Sequence, residues 1–182
     1  MSTEAEILNS SKTIAVVGLS PKPDRPSYRV ASYLKEQGYR IIPANTYASE
    51  ILGETCYPDL RSIPEQVDVV DIFRRSEGVP AIVEEAIEKE AKAVWMQEGV
   101  INEEAAARAR EAGLLVVMDR CMLKEHWKLE AGEIKGDSLI RRQNPARLSN
   151  GRQYPSFDFE LLVFHDIGIK KERVLLKRGF KF

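Results

Sequence analysis

The chain has 182 residues, of which 43% are apolar and 30% are charged, and its formal net charge is -1. This length predicts one domain with an appendage, and the composition excludes a disordered or a fibrous protein. The near-zero charge is a cancellation, because residues 1–126 carry a net charge of -6 and residues 127–182 carry +5. We therefore expect an acidic domain followed by a basic segment.

The cellular location is suggested by two features. Only two cysteines occur, Cys56 and Cys121, which are too few for the disulfide framework of a small secreted protein. The N-terminus lacks the basic start and apolar segment of an export signal, and no run of ~18 apolar residues is present. We expect a cytoplasmic protein that has no membrane contact.

Short apolar runs alternate with helix-like stretches through most of the chain. Each run is too short for a helix and rich in β-branched residues, and Asn102 precedes one helix-like stretch as a predicted N-cap. Predicted strands cover residues 13–18, 40–43, 67–73, 91–96 and 114–118, and predicted helices cover 27–37, 79–90 and 102–112. Between residues 43 and 67 we expect a loop with a short extended piece and one helical turn. The alternation predicts an α/β fold, a doubly wound Rossmann-like parallel sheet of about five strands.

The alternation stops after residue 126. Residues 132–152 are polar and interrupted by glycine and proline, which predicts a weakly ordered connector, and residues 157–164 and 174–182 are typical of a short β-hairpin. The predicted domains are therefore residues 1–128 and a basic C-terminal extension, 129–182.

The loop after the first strand has features of a phosphate site, because ligands of such sheets bind beyond the carboxyl ends of the strands. Gly18 and Ser20 let the backbone approach a phosphate, Lys22 and Arg25 supply positive charge, and Ser27 is predicted to cap the next helix. The alternative is a turn-rich loop with solvated charges.

The other strand ends refine the ligand class. The first loop lacks the G-x-G-x-x-G pattern and the second strand ends without a carboxylate, so an ordinary NAD site is not expected. Asn45 is either a contact to ribose or adenine or a simple turn residue. Arg74 and Arg75, after Phe73, suit a polyphosphate, although a surface pair is often only solvated. Gly99 allows a turn close to a ligand.

Several motifs together resemble the stand-alone CoA-binding domain family, which is similar to the CoA-binding domain of the succinyl-CoA synthetase alpha subunit. The resemblance covers about residues 4–128, and its motifs lie at residues 15–30, 51–53, 67–75, 93–97, 102–108 and 118–122. It implies a sheet that binds coenzyme A across the strand ends, with residues 18–28 along the phosphates and residues 43–45 near the adenosine. Residues 73–75 would lie beside the ligand and residues 97–99 toward the pantetheine arm. The expected cofactor-binding residues are Gly18, Ser20, Lys22, Arg25, Ser27, Tyr28, Asn45, Phe73, Arg74, Arg75, Gln97 and Gly99.

Three functions are open at this point. The first is a binder of coenzyme A or acyl-CoA without ligase machinery, because the chain has no room for the synthetase's second domain; it would have no catalytic residue and no metal. The second is an acyl-thioester enzyme that uses Cys121 with His126, although a lone cysteine is more often a small buried side chain. The third is an oxidoreductase with a variant NAD(P) site. Nucleic acid is not an expected partner, whereas a homo-oligomer or a protein partner stays open.

Overall fold

Strands and helices alternate along residues 2–134, which is the part of the chain that the computed structural model describes. The strands are β1 (Thr13–Val17), β2 (Arg40–Ala44), β3 (Glu50–Ile51), β4 (Glu54–Thr55), β5 (Val69–Ile72), β6 (Ala93–Met96) and β7 (Leu115–Val117). The α-helices are α1 (Thr3–Ser10), α2 (Pro26–Glu36), α3 (Val79–Glu88), α4 (Glu103–Glu111) and α5 (Met122–Ile134), and a 3-10 turn, Ser76–Gly78, precedes α3.

Five strands form one parallel sheet in the order β2-β1-β5-β6-β7, while β3 and β4 form a separate antiparallel pair. The chain moves outward from β1 to β2 and then returns to the other side of β1 to form β5. The order therefore reverses between β1 and β5, and the crevice at this switch point is where such sheets bind ligands. The predicted Rossmann-like fold class is confirmed.

Helices cover both faces of the sheet. One face packs on α3 and α4 through Val83 and Ala106, and the other packs on α1, α2 and α5 through Ile7, Leu34 and Met122. The strands are buried on both faces, which explains why they are continuous apolar runs in the sequence. No helix within residues 2–134 has the length and apolar character of a membrane-spanning segment.

The observed bounds agree with the predicted elements to within two residues at most ends. Asn102 caps α4 as predicted, since its side chain accepts a hydrogen bond from Ala105 N at 2.9 Å. The prediction that Ser27 caps α2 is wrong: Arg25 is the N-cap residue, and Pro26 starts the helix one residue earlier than expected.

Some elements were not predicted. Helix α1 was not predicted, and α5 continues to Ile134, past the predicted boundary at residue 128. Between residues 43 and 67, the predicted short extended piece is present as the pair β3–β4, whereas the predicted helical turn is only a hydrogen-bonded turn from Leu60 to Ile63. The predicted hairpin at residues 157–164 and 174–182 lies outside the described residues.

Candidate functional site

Gly18 brings the ends of β1 and β5 together. Its φ is +87°, and a Cβ at this position would lie 2.5 Å from Phe73 O and 3.0 Å from Arg74 Nε. Only glycine permits both this backbone conformation and this approach. The structure thus places three of the predicted site residues in one cluster at the switch point.

The loop after β1 folds back on the start of α2. Ser20 N donates to Ser27 Oγ at 3.1 Å, and Lys22 N donates to Ser20 Oγ at 3.2 Å. The first turn of α2 has no acidic residue and no side-chain cap. Ser27 is buried and Tyr28 is half-buried, packed on the apolar cluster beneath the loop. The serine therefore fixes the loop, and no carboxylate within the first turn of α2 offsets the positive end of the helix dipole.

Four cations flank this loop region without a carboxylate partner. Lys22, Arg25, Arg74 and Arg75 form no ion pair with the acidic side chains of residues 2–134. Elsewhere in the domain, Arg40, Arg61 and Arg108 pair with glutamates at 2.6 to 3.2 Å, whereas Arg29, Arg110 and Arg120 form no ion pair with the described residues. Asp24 and Glu77 lie in the same loops without pairing with these cations, so the loops after β1 and β5 each keep a net charge of +1.

Asn45 joins the loops that follow β1 and β2. It is buried, its Nδ2 donates to Leu19 O at 2.7 Å, and its Oδ1 accepts from Tyr47 N at 3.0 Å. These contacts are those of a turn residue, which is one of the two alternatives that the sequence left open. Tyr47 is 87% exposed beside it, so an aromatic face is available at this end of the site.

The loops after β6 and β7 are fixed to each other. Gly99 has a φ of +83°, and its N–H donates to Asp119 Oδ1 at 2.8 Å. Trp95 is fully buried and donates from Nε1 to Arg120 O at 2.7 Å. Trp95 therefore belongs to the core, and Gly99 forms the expected turn at the strand end.

Asp71 is a buried carboxyl group that the sequence analysis missed. It is 0% exposed, and Oδ1 accepts a hydrogen bond from Gln97 Nε2 at 2.8 Å, whereas Oδ2 has no hydrogen-bond partner within the described residues. Burial raises the pKa of Asp71 to about 7. Gln97 is also buried, and its Oε1 accepts from Met122 N at 3.4 Å. The sequence signal for this buried carboxyl group was an acidic residue within the apolar run 67–73.

Cys121 and His126 lie near the start of α5 but in different surroundings. Cys121 precedes the first helical residue, Met122, whereas His126 lies within the helix and its Nδ1 pairs with Tyr33 Oη at 3.0 Å. The Cys121 thiol is half-buried, and burial raises its pKa. The groups that act on this thiol are the N–H groups of Leu123 and Lys124, Asp71, and the Lys124 charge. The predicted pairing of Cys121 with His126 is not what the geometry favours.

The fold is that of a Rossmann-like α/β protein, and the loops that follow its parallel strands lie at the carboxyl edge of the sheet. The family model described as CoA binding domain matches residues 12–127, so the chain belongs to the CoA-binding domain family.

Three relatives illustrate this membership. The chain is 45% identical over 121 residues to the uncharacterized protein YneT of Bacillus subtilis, a match that covers 66% of this chain and 90% of that protein. It is similar in structure to a hypothetical protein from Pyrococcus horikoshii, with 44% identity and a TM-score of 0.69 over 71% of this chain and 92% of the other. It is also 32% identical over 95 residues to an ADP-forming acetate–CoA ligase of Archaeoglobus fulgidus. This match covers 51% of this chain and 14% of the ligase.

Proposed function

We propose that the protein binds coenzyme A, or an acyl-CoA, across the carboxyl edge of its sheet and has no ligase machinery of its own. The observation that carries the proposal is the group of cations Lys22, Arg25, Arg74 and Arg75, which flank the switch point without carboxylate partners among the described residues. Coenzyme A carries a diphosphate and a 3′-phosphate, and guanidinium groups bind such oxygens in pairs.

The proposed arrangement follows the loops in order. The phosphates lie along the loop that starts at Gly18, near the first turn of α2, and the adenosine lies near Asn45 and the exposed ring of Tyr47. Because both ends of the Asn45 amide already hold backbone groups, its role is to shape the loop that faces the adenosine. The pantetheine arm extends toward Gln97 and Gly99. The likeness to the acetate–CoA ligase supports a coenzyme A ligand, and the part of the ligase that matches is only 14% of its length, which agrees with a binder that lacks the whole ligase reaction.

A thermal-shift or urea-unfolding titration with coenzyme A tests the proposal. A ligand present at 100 times its Kd stabilises the native state by about 2.7 kcal/mol, so a clear rise in the unfolding midpoint is expected. Adenosine 3′,5′-bisphosphate and pantetheine should each give a smaller shift. No stabilisation at millimolar coenzyme A contradicts the proposal, and an NADH fluorescence titration that saturates would favour the oxidoreductase alternative.

The variant Arg74→Gln tests the cation group directly. Loss of a charge-assisted contact of about 1.5 to 3 kcal/mol weakens binding roughly 10- to 100-fold. The matched control is Arg110→Gln, because Arg110 lies near the C-terminal end of α4, away from the strand-end loops, and the same charge is removed. Equal loss of affinity in both variants would mean that net charge rather than this site binds the ligand. Urea unfolding without ligand checks that Arg74→Gln is folded.

A further inference from the structure

Where β5, β6 and β7 end, the structure holds a cluster of Asp71, Gln97 and Cys121, which the binding of phosphates does not use. We propose that Cys121 is a site of reversible thiol–disulfide exchange with the disulfide form of the coenzyme's thiol, and that Asp71 accepts the proton of the Cys121 thiol. This rests on the proposed binding of coenzyme A, because that binding delivers the pantetheine end to the cluster.

The first support is that Asp71 and Cys121 lie on the same face and at the same edge of the sheet. Asp71 is in register with Val16 on β1 and Trp95 on β6, and both of those side chains pack on the face covered by α1, α2 and α5. Cys121 packs against the same apolar cluster. The Asp71 side chain is therefore directed to the side of the sheet on which Cys121 lies.

The Gln97 side-chain amide connects Asp71 to the start of α5. Its Nε2 holds Asp71 Oδ1 at 2.8 Å, and its Oε1 accepts from Met122 N at 3.4 Å. Met122 follows Cys121 directly in the chain. One side-chain amide thus spans from the carboxyl group to the first residue of α5, and burial and the nearby Asp71 charge both raise the pKa of the Cys121 thiol.

The second support is the unpartnered oxygen of Asp71. Oδ2 is the single fully buried side-chain oxygen or nitrogen within residues 2–134 that lacks a hydrogen-bond partner. Buried polar atoms normally find a partner, so an orphan acceptor calls for an explanation. In this structure no described donor reaches Oδ2, the Cys121 thiol included, so the Cys121 proton passes to Oδ2 through one water or after the thiol rotates toward it.

The exchange needs a base, because burial raises the pKa of the Cys121 thiol and the thiol is protonated at neutral pH. Asp71, itself buried, is a stronger base than an exposed carboxylate. The N–H groups of Leu123 and Lys124, at the positive end of α5, stabilise the thiolate once it forms.

The step balances without an added oxidant. The Asp71 carboxylate takes the proton from Cys121 Sγ, and the thiolate attacks one sulfur of the ligand disulfide. A bond forms between Cys121 Sγ and that sulfur, the ligand S–S bond breaks, and the second thiol leaves with the electron pair and takes up a proton. The reverse reaction, with free coenzyme A thiolate, regenerates Cys121 and the disulfide.

Other ionisable groups lie near this edge of the sheet and can affect the pH dependence. They are Lys124 and His126 on α5, Arg120 before it, Arg74 after β5, and Arg25 and Arg29 at the start of α2. Burial, Gln97 and the N–H of Ile72 set the pKa of Asp71, and no charged group of residues 2–134 is among its causes. The carboxylates near this edge of the sheet are Glu98, Asp119 and Glu125.

The test incubates the purified full-length protein with the disulfide of coenzyme A and measures its intact mass. One coenzyme A moiety per chain is expected, and reductant should remove it. The matched control is Cys56→Ser, since Cys56 is the only other cysteine of the chain and is also half-buried. This variant should keep the adduct and Cys121→Ser should lose it. An adduct that persists in Cys121→Ser overturns the proposal.

The variant Asp71→Asn examines the proton acceptor. At pH 7 the rate of adduct formation should fall roughly a hundredfold, within the usual range for loss of a general base. The wild-type rate should rise with pH through an inflection near 7, and the variant should lack that inflection. A pH profile that keeps the inflection in Asp71→Asn overturns the role of Asp71, whatever the effect of the substitution on stability.

The two proposals fail in different ways. Unfolding of the wild-type protein is measured with coenzyme A under reducing conditions, in which no mixed disulfide survives. Stabilisation there, together with no adduct from the disulfide, leaves the binding function standing and refutes the exchange. If glutathione disulfide gives the adduct as fast as the coenzyme A disulfide does, Cys121 is a reactive thiol without a ligand-specific site, and the inference is wrong.

Discussion

Replacing Gly18 by alanine is expected to destabilise the protein more than any ordinary glycine-to-alanine change. The residue has a φ of +87°, and the new Cβ would meet Phe73 O at 2.5 Å and Arg74 Nε at 3.0 Å. The arginine side chain can move, but the Phe73 carbonyl belongs to the backbone that leaves β5. The end of β1 or the end of β5 must therefore shift.

The magnitude has two parts. A non-glycine residue in the left-handed region costs about 1 to 2 kcal/mol, and forcing an extra carbon into a packed position costs about 1 to 3 kcal/mol. The free energy of unfolding of Gly18→Ala should therefore fall by about 2 to 5 kcal/mol. The shift also opens the contact between two loops of the proposed coenzyme site, so any affinity for coenzyme A should fall as well.

Gly38→Ala is the matched control. Gly38 has a φ of +97°, but nothing lies within 4 Å of the position of its Cβ, so only the conformational cost of about 1 to 2 kcal/mol applies. Urea unfolding of both variants at one pH measures the difference. Equal losses in the two variants would refute the reasoning, because they would mean that the contact between the ends of β1 and β5 is not tight.

Two further predictions concern single polar groups. The pKa of Asp71 is about 7 in the native state, well above its ordinary value of 3.8, so the native state keeps a proton that the unfolded chain loses between these pH values. The free energy of unfolding should therefore fall with rising pH across this window by about 4 kcal/mol, whereas the fall should be absent in Asp71→Asn. Urea unfolding of both proteins at pH 5 and pH 8 covers the upper two pH units of this window, in which about 2.7 kcal/mol of the fall is expected. A difference between the two proteins that does not change with pH would contradict the prediction. Asn102→Ala removes the α4 cap and the donor to Ser76 O at 3.0 Å, so it should cost about 1 to 2 kcal/mol; Asn102→Asp keeps the cap and should cost less.

The strands of the sheet could be predicted because they are buried on both faces. A strand such as Val69–Ile72 has no exposed position, and a short apolar run bounded by turn residues is a strong signal for it. Helices α2, α3 and α4 were predicted for a similar reason, since each has one apolar stripe. Helix α1 was not predicted because its two buried residues, Ile7 and Leu8, are too few to show a periodic pattern in a polar segment.

The candidate site was predictable only at the level of loops. The rule that parallel strands end at one edge is enough to place Gly18, Asn45, Phe73 and Gln97 in the same region. It does not show that the Asn45 side chain is already hydrogen-bonded within the protein, because the acceptor, Leu19 O, belongs to another loop. Similarly, the sequence assigns Ser27 a local role as a cap, whereas its hydroxyl group holds Ser20 N, seven residues away.

The sequence by itself determined the class of fold, the loops at the carboxyl edge of the sheet, and the family to which the chain belongs, because local apolar patterns and short motifs encode all three. The tertiary structure alone decided which loops touch and which polar groups meet. Strand order brings β5 beside β1 and places Asp71 between Val16 and Trp95, residues that lie far apart in the chain. Such contacts depend on the register of paired strands, and no local pattern specifies that register.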